Sequence, residues 1–160
     1  MTKDCIAIAG IVSESIENGL IVSKTTPLLF KNSNRRSIFE PSMPLGAHVT
    51  VTKDKHLFLI APATAQTIAE MAFGSANDLL SAAYLAFDGP VLAAPAMNSR
   101  MWQKPAVQRN VSQLADDGVQ LIGPETGWLS CRENGEGRMA EPATLMEAIF
   151  NTLSIKTNDV

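Results

Sequence analysis

The sequence predicts an α/β domain, an open and mostly parallel sheet with helices on both faces, giving a three-layer sandwich. Short apolar runs recur at Ile6 to Ala9, Leu20 to Val22, Leu57 to Ile60, Val91 to Ala94 and Val119 to Ile122. Several lack the polar alternation of a strand with one wet face, which is the pattern of strands buried on both sides. Segments of helical periodicity with start and stop signals lie between the later runs. The chain has 160 residues, 46% of them hydrophobic and 18% charged, enough to bury one core without metal or disulfide support. Strands and helices alternating in this order build a sheet whose ligands bind beyond the carboxyl ends of its strands. The loops after Ile60, Ala94 and Ile122 are therefore where chemistry is expected.

The first two runs are short, and Ser13 to Asn18 between them has room for a turn or two of helix. The segment Asn32 to Pro44 is polar, holds Arg35-Arg36, Pro41 and Pro44, and has little periodicity, so it reads as an irregular surface excursion. After the Leu57 run, Thr64 is placed to cap a helix that stops at Gly74. A second helix, Leu79 to Phe87, stops before Gly89-Pro90. A third opens with Pro105 and closes at Gly118, with Val107, Val111 and Leu114 on one face. Gly123 to Glu141 reads as a loop rich in glycine and charge, followed by Pro142 and a helix carrying Leu145, Ile149 and Leu153. One domain is expected over 1–155, with 156–160 as a disordered tail.

A net charge of -3 gives no reason to expect a nucleic-acid partner. No apolar run approaches the roughly 20 residues of a membrane helix, and the first residues lack the pattern of a signal peptide. The two cysteines, Cys5 and Cys131, have no second ligand at metal-binding spacing. Free thiols in a cytoplasmic, reducing compartment are the expectation, without zinc.

Four places offer chemistry. Pro95-Ala96-Met97-Asn98 sets a neutral amide directly beyond a buried strand; its two N–H donors suit a carboxylate, although Asn there also serves as a turn former or helix cap. Ala61 to Thr67 is a loop of small residues before a helix. It would let a flat ring or an anion approach the backbone, or serve simply as a strand-to-helix turn. His48 is one of two histidines, with a ring able to exchange protons near neutral pH or to play a structural part. Cys131 lies in a glycine-rich stretch with Arg132 and Arg138, a setting for a proton-donating or nucleophilic thiol in a mobile flap, or for an inert one.

In combination these segments resemble the flavoprotein family of phosphopantothenoylcysteine decarboxylases and the related lantibiotic peptidyl-cysteine decarboxylases. That family shows a histidine thirteen positions before an Ala-Pro-Ala-Ser/Thr-Ala-Asn-Thr loop, then Pro-x-Met-Asn-x-x-Met-Trp, then a cysteine flap ending in Gly-x-Gly-Arg-Met. Here His48 precedes Ala61 by that spacing, Pro95 to Trp102 matches throughout, and Cys131 precedes Gly137-Arg138-Met139. Gly74 to Ser81 resembles the family's helix-joining segment, and the likeness spans roughly Met43 to Ile149.

The resemblance implies a single-domain Rossmann-like, flavodoxin-like fold with an abbreviated first β-α unit, FMN as cofactor and a homotrimer or higher homo-oligomer with its site between subunits. Its implied reaction is decarboxylation of 4'-phosphopantothenoylcysteine to 4'-phosphopantetheine in coenzyme A biosynthesis. Asn98 would hold the substrate carboxylate, His48 would orient substrate and assist proton movement, and Cys131 would return a proton. Met97 and Ala65-Gln66-Thr67 would contact FMN, with Ser23 matching a hydroxyl after the second strand. A cysteine carboxylate has no electron sink at the right distance, and oxidising the thiol to a thioaldehyde creates one, which is the reason for a flavin.

Three departures stand out. The family's Asn in the small-residue loop is Gln66, the glycine after its flap cysteine is Arg132, and only sixteen residues separate Gly10 from Pro27, where a phosphate loop, a helix and a strand are usual. Ser13 or Ser15 would then serve the phosphate. The chain ends soon after its last helix, so the synthetase domain fused to this decarboxylase in many bacteria is expected on a separate protein. Two other readings stay open: a peptidyl-cysteine decarboxylase of lantibiotic type, and a non-catalytic flavin-binding regulatory homologue.

Overall fold

A computed structural model describes residues 8–12, 28–31, 45–129 and 131–154. Among the described residues five strands, β1 (Ile8–Val12), β2 (Leu28–Lys31), β3 (Leu57–Ala63), β4 (Val91–Pro95) and β5 (Gln120–Leu121), form one sheet in the order β2-β1-β3-β4-β5. Every pairing in it is parallel. This is the flavodoxin-like order, in which the chain reverses direction across the sheet between β1 and β3 and opens a ligand crevice there.

Strand alternation divides the core into two layers. Leu57, Leu59 and Ala61 of β3 and Leu92 and Ala94 of β4 face Leu145, Ala148 and Ile149 of α6 (Pro142–Thr152). Phe58, Ile60 and Ala63, with Val91 and Ala93, point the other way. They meet Ile68 and Met71 of α2 (Ala65–Phe73), Leu80 and Ala83 of α3 (Leu79–Leu85) and Leu114 of α5 (Pro105–Asp116). Both faces of β3 and β4 are covered, which explains their unbroken apolar composition. Each fully buried Leu or Ile contributes about 1.5–3 kcal/mol relative to exposure.

The helix signals act as expected. Thr64 Oγ1 accepts the amide N–H of Thr67 at 3.2 Å, and Gly74 ends α2 at φ 67°. At the start of α3 the structure adds a reciprocal capping box, between Asp78 and Ser81, that was not among those signals. Pro105 and Pro142 occupy the first turns of α5 and α6, where a missing N–H costs nothing.

Other elements differ from the sequence expectation. The first strand lies at Ile8–Val12, two residues later than the apolar run, while the proposed run Leu20 to Val22, the excursion 32–44 and the tail 156–160 fall outside the described residues. A strand at Leu28–Lys31 was not expected, because three apolar residues before a lysine show no period to read. The short helix α1 (Ala47–Thr52) carries His48. Val49, Thr50, Val51 and Thr52 are β-branched and poor helix formers, yet packing against α3 holds the turn. The stretch read as a loop after Gly123 contains an antiparallel hairpin, β6 (Glu125–Trp128) with β7 (Asn134–Arg138). Polar and glycine-rich strands hide from hydrophobic periodicity.

Candidate active site at the carboxyl end of β4

Strand β4 ends at the buried Pro95 and the chain turns outward. Two backbone bonds hold the next residues: Ala96 N–H donates to Ala63 O at 3.0 Å, and Met97 N–H donates to Gly137 O at 2.9 Å. The first ties the segment to the end of β3, the second to the hairpin. The close approach needs glycine. A Cβ on Gly137, whose φ is +136°, would run into the carbonyl oxygen of Met97, and one on Gly135 would meet Ser99 Oγ. Two of the glycines read as flap flexibility thus serve contact between hairpin and strand end.

Asn98 caps the four-residue helix α4 (Ser99–Trp102): its Oδ1 accepts the Arg100 N–H at 2.8 Å. The cap leaves Nδ2 facing the hairpin, where it donates to Cys131 Sγ at 3.1 Å and to Glu133 Oε2 at 3.5 Å. The helix cap and the donation toward the hairpin are therefore made by different atoms of one amide. Met97, Asn98, Leu129, Cys131 and Arg138 are among the residues lining a cavity of about 250 Å³ here.

The turn that presents Cys131 is closed by Leu129 N–H to Glu133 O and Arg132 N–H to Leu129 O, both 2.9 Å. Arg132 has φ 63°, a left-handed conformation costing a side-chain-bearing residue roughly 1–2 kcal/mol. The family's glycine at this position has its explanation in that angle. Arg138 does not attend the thiol as its sequence neighbourhood suggested. Its guanidinium binds Glu125 Oε2 at 2.8 Å and Glu141 Oε1 at 2.6 Å, closing the base of the hairpin. Arg100 Nη2 lies 3.6 Å from Glu133 Oε1, in an exposed pair whose stabilising value is small.

The remaining expected site residues sit elsewhere. Ala65, Gln66 and Thr67 form the first turn of α2 at the end of β3. Thr67 is buried and shares a 3.0 Å hydrogen bond between its hydroxyl and that of Thr64, whereas Gln66 Nε2 turns along its own helix to Glu70 Oε1 at 3.0 Å. The extra methylene of Gln66 makes that i,i+4 contact reachable. His48, on α1, does not line the Asn98–Cys131 cavity. Ser23, Ser13 and Ser15 fall outside the described residues. Glu133 and Arg100 were not anticipated; Glu133 lies in the turn before β7, with Arg132 left-handed beside it, and no local period marks it.

The sequence pattern described as Flavoprotein matches residues 11–154. The coenzyme A biosynthesis bifunctional protein CoaBC of Haemophilus influenzae is 38% identical over 136 residues, 82% of this chain and 34% of that protein. The chain thus spans about a third of the length of the curated relatives it matches. Among solved structures, a PPC decarboxylase mutant complexed with pantothenoylaminoethenethiol is 30% identical with a TM-score of 0.66, covering 72% of this chain and 64% of that one. The FMN-dependent cysteine decarboxylase SpaF is 37% identical with a TM-score of 0.57, covering 67% of this chain and 55% of that one.

Proposed function

Since the chain belongs to the flavoprotein family, we propose that it is an FMN-dependent cysteine decarboxylase converting 4'-phosphopantothenoylcysteine to 4'-phosphopantetheine. The observation that carries this is the amide of Asn98 set 3.1 Å from the thiol of Cys131 over one cavity. A carboxylate clamp and a proton donor are the two protein groups that such a decarboxylation needs. Relatives named for coenzyme A biosynthesis support the substrate.

The residues at the end of β3 fit a flavin. Ala65 is small and only partly buried, leaving room for a flat ring, and the nine-residue α2 starts directly after β3, next to the point where the sheet order changes direction. Ala65, Gln66, Thr67 and Met97 would hold FMN, which when bound supplies the oxidation of the substrate thiol and its later reversal. Asn98 holds the substrate carboxylate by Nδ2, and the Oδ1 bond to Arg100 N–H keeps that donor aimed. Cys131 Sγ–H delivers a proton to the enethiol carbon after CO2 has left. His48 acts in the site of a neighbouring copy in a homotrimer. The exposed apolar side chains of Leu45 and Val49 beside it fit such a contact.

SpaF, an FMN-dependent cysteine decarboxylase at higher identity than the PPC decarboxylase, favours keeping a second reading, in which the cysteine carboxylate belongs to the end of a peptide. The test is to purify the protein, record its visible spectrum, and follow product mass with 4'-phosphopantothenoylcysteine and with a cysteine-terminated peptide. Loss of CO2 from the first alone supports the proposal; loss from the peptide alone transfers the function to the second reading. A colourless protein that binds no added FMN sinks both.

A further inference from the structure

Glu133 brings a carboxylate to the edge of the site, within 3.5 Å of Asn98 Nδ2, and nothing in the reaction just described uses it. The Asn98 side chain is fully engaged: Oδ1 holds the Arg100 N–H, and the two Nδ2 protons go to Cys131 Sγ at 3.1 Å and Glu133 Oε2 at 3.5 Å. An Asn amide has no third N–H. A ligand carboxylate at Asn98 therefore competes with these acceptors for the same two N–H groups. Glu133 is the one to yield. Its contact is the longer, its side chain is 48% exposed, and its other oxygen already faces Arg100 Nη2 at 3.6 Å, which gives it somewhere to remain. Two carboxylates on the same amide also repel each other.

We propose that Glu133 is a stand-in for the substrate carboxylate: it occupies the carboxylate subsite on Asn98 until substrate displaces it onto Arg100. This rests on the reading of Asn98 as the carboxylate clamp. Glu133 is then a specificity-determining residue, because a ligand must bring a carboxylate able to replace its own. A neutral ligand gains nothing at Asn98 for displacing it, and opening the subsite costs the bond that Glu133 makes there. Cys131 Sγ, 4.0 Å from Glu133 Oε2, reports on the exchange as the exposed thiol of the same cavity.

The experiment measures protection of Cys131 from iodoacetamide in the flavin-loaded protein, read by mass spectrometry of its peptide and normalised to each protein's own unprotected rate. The ligands are an N-acylalanine, which keeps the carboxylate of an acylcysteine without its thiol, and the matching N-acylethylamine, which lacks the carboxylate. Glu133→Ala should lower the half-protecting concentration of the N-acylalanine about fivefold, the worth of a partly exposed charge-assisted hydrogen bond. Glu133→Gln should lower it less, and the N-acylethylamine should be unaffected by either change. An N-acylalanine value equal in wild type and Glu133→Ala overturns the proposal, as does an equal gain for both ligands, which would mean mere widening of the cavity. Both of those results leave the Asn98 reading standing. If neither ligand protects Cys131 in any of the proteins, the carboxylate site is itself refuted and the proposal falls with it.

Discussion

Replacing Gly137 by Ala tests whether the hairpin and the end of β4 form one unit. The Gly137 φ of +136° is one that side-chain-bearing residues rarely adopt, and a Cβ there would strike the Met97 carbonyl, a backbone atom with no rotamer to escape into. The backbone strain is worth about 1–3 kcal/mol. Moving the hairpin away also breaks the Met97 N–H to Gly137 O bond of 2.9 Å, worth about 1 kcal/mol. The sum is about 2–4 kcal/mol, drawn from the hairpin and not from the sheet, whose core lies on the other side of Pro95. Gly135→Ala is the internal control. Its Cβ meets Ser99 Oγ and, less closely, Ser99 Cβ, both side-chain atoms; Oγ can rotate aside and Cβ need give only slightly, so the cost should stay at about 1 kcal/mol, below that of Gly137→Ala. Amide hydrogen exchange at Met97 is the assay. Gly137→Ala should speed exchange there about 30-fold or more while β3 and β4 amides keep their protection, and Gly135→Ala should leave Met97 nearly unchanged. Wild-type protection of Met97 in Gly137→Ala would refute the claim that close backbone approach is what holds the site together.

Arg132→Gly removes the left-handed penalty at φ 63° and, after the extra freedom glycine has when unfolded, should stabilise the Cys131 turn by about 0.5–1 kcal/mol, read as slower exchange of the Arg132-position amide that donates to Leu129 O. Leu92→Ala empties a fully buried position in the middle of β4 and should cost about 2–5 kcal/mol in chemical denaturation; a smaller loss would mean that the α6 side of the sheet collapses onto the gap. Cys131→Ser removes the proposed proton donor while keeping the size of the turn residue, so turnover should stop after CO2 loss with an unsaturated product detectable by mass. An undiminished yield of saturated thiol would remove Cys131 from the reaction.

The α/β class, the helices α2, α3, α5 and α6 and the strands β3 and β4 were legible in the sequence, because each is written locally. Thr64 and Gly74 bracket α2, Pro105 opens α5, and two uninterrupted apolar runs demand cover on both faces. The motif residues Asn98 and Cys131 were legible as well, through their resemblance to a family pattern. Tertiary structure alone decided what their atoms do. That Asn98 caps α4 with its oxygen while offering its nitrogen to Cys131, that Arg138 serves Glu125 and Glu141, and that the Glu133 carboxylate comes within 3.5 Å of Asn98 Nδ2 are all consequences of a hairpin folded back on the end of β4. The pairings concerned join residues far apart in the chain, such as Asn98 with Cys131, and the hairpin strands are too polar to announce themselves by period. Local sequence signals specify elements; only the approach of Gly137 to Met97 determines which side chains those elements bring face to face.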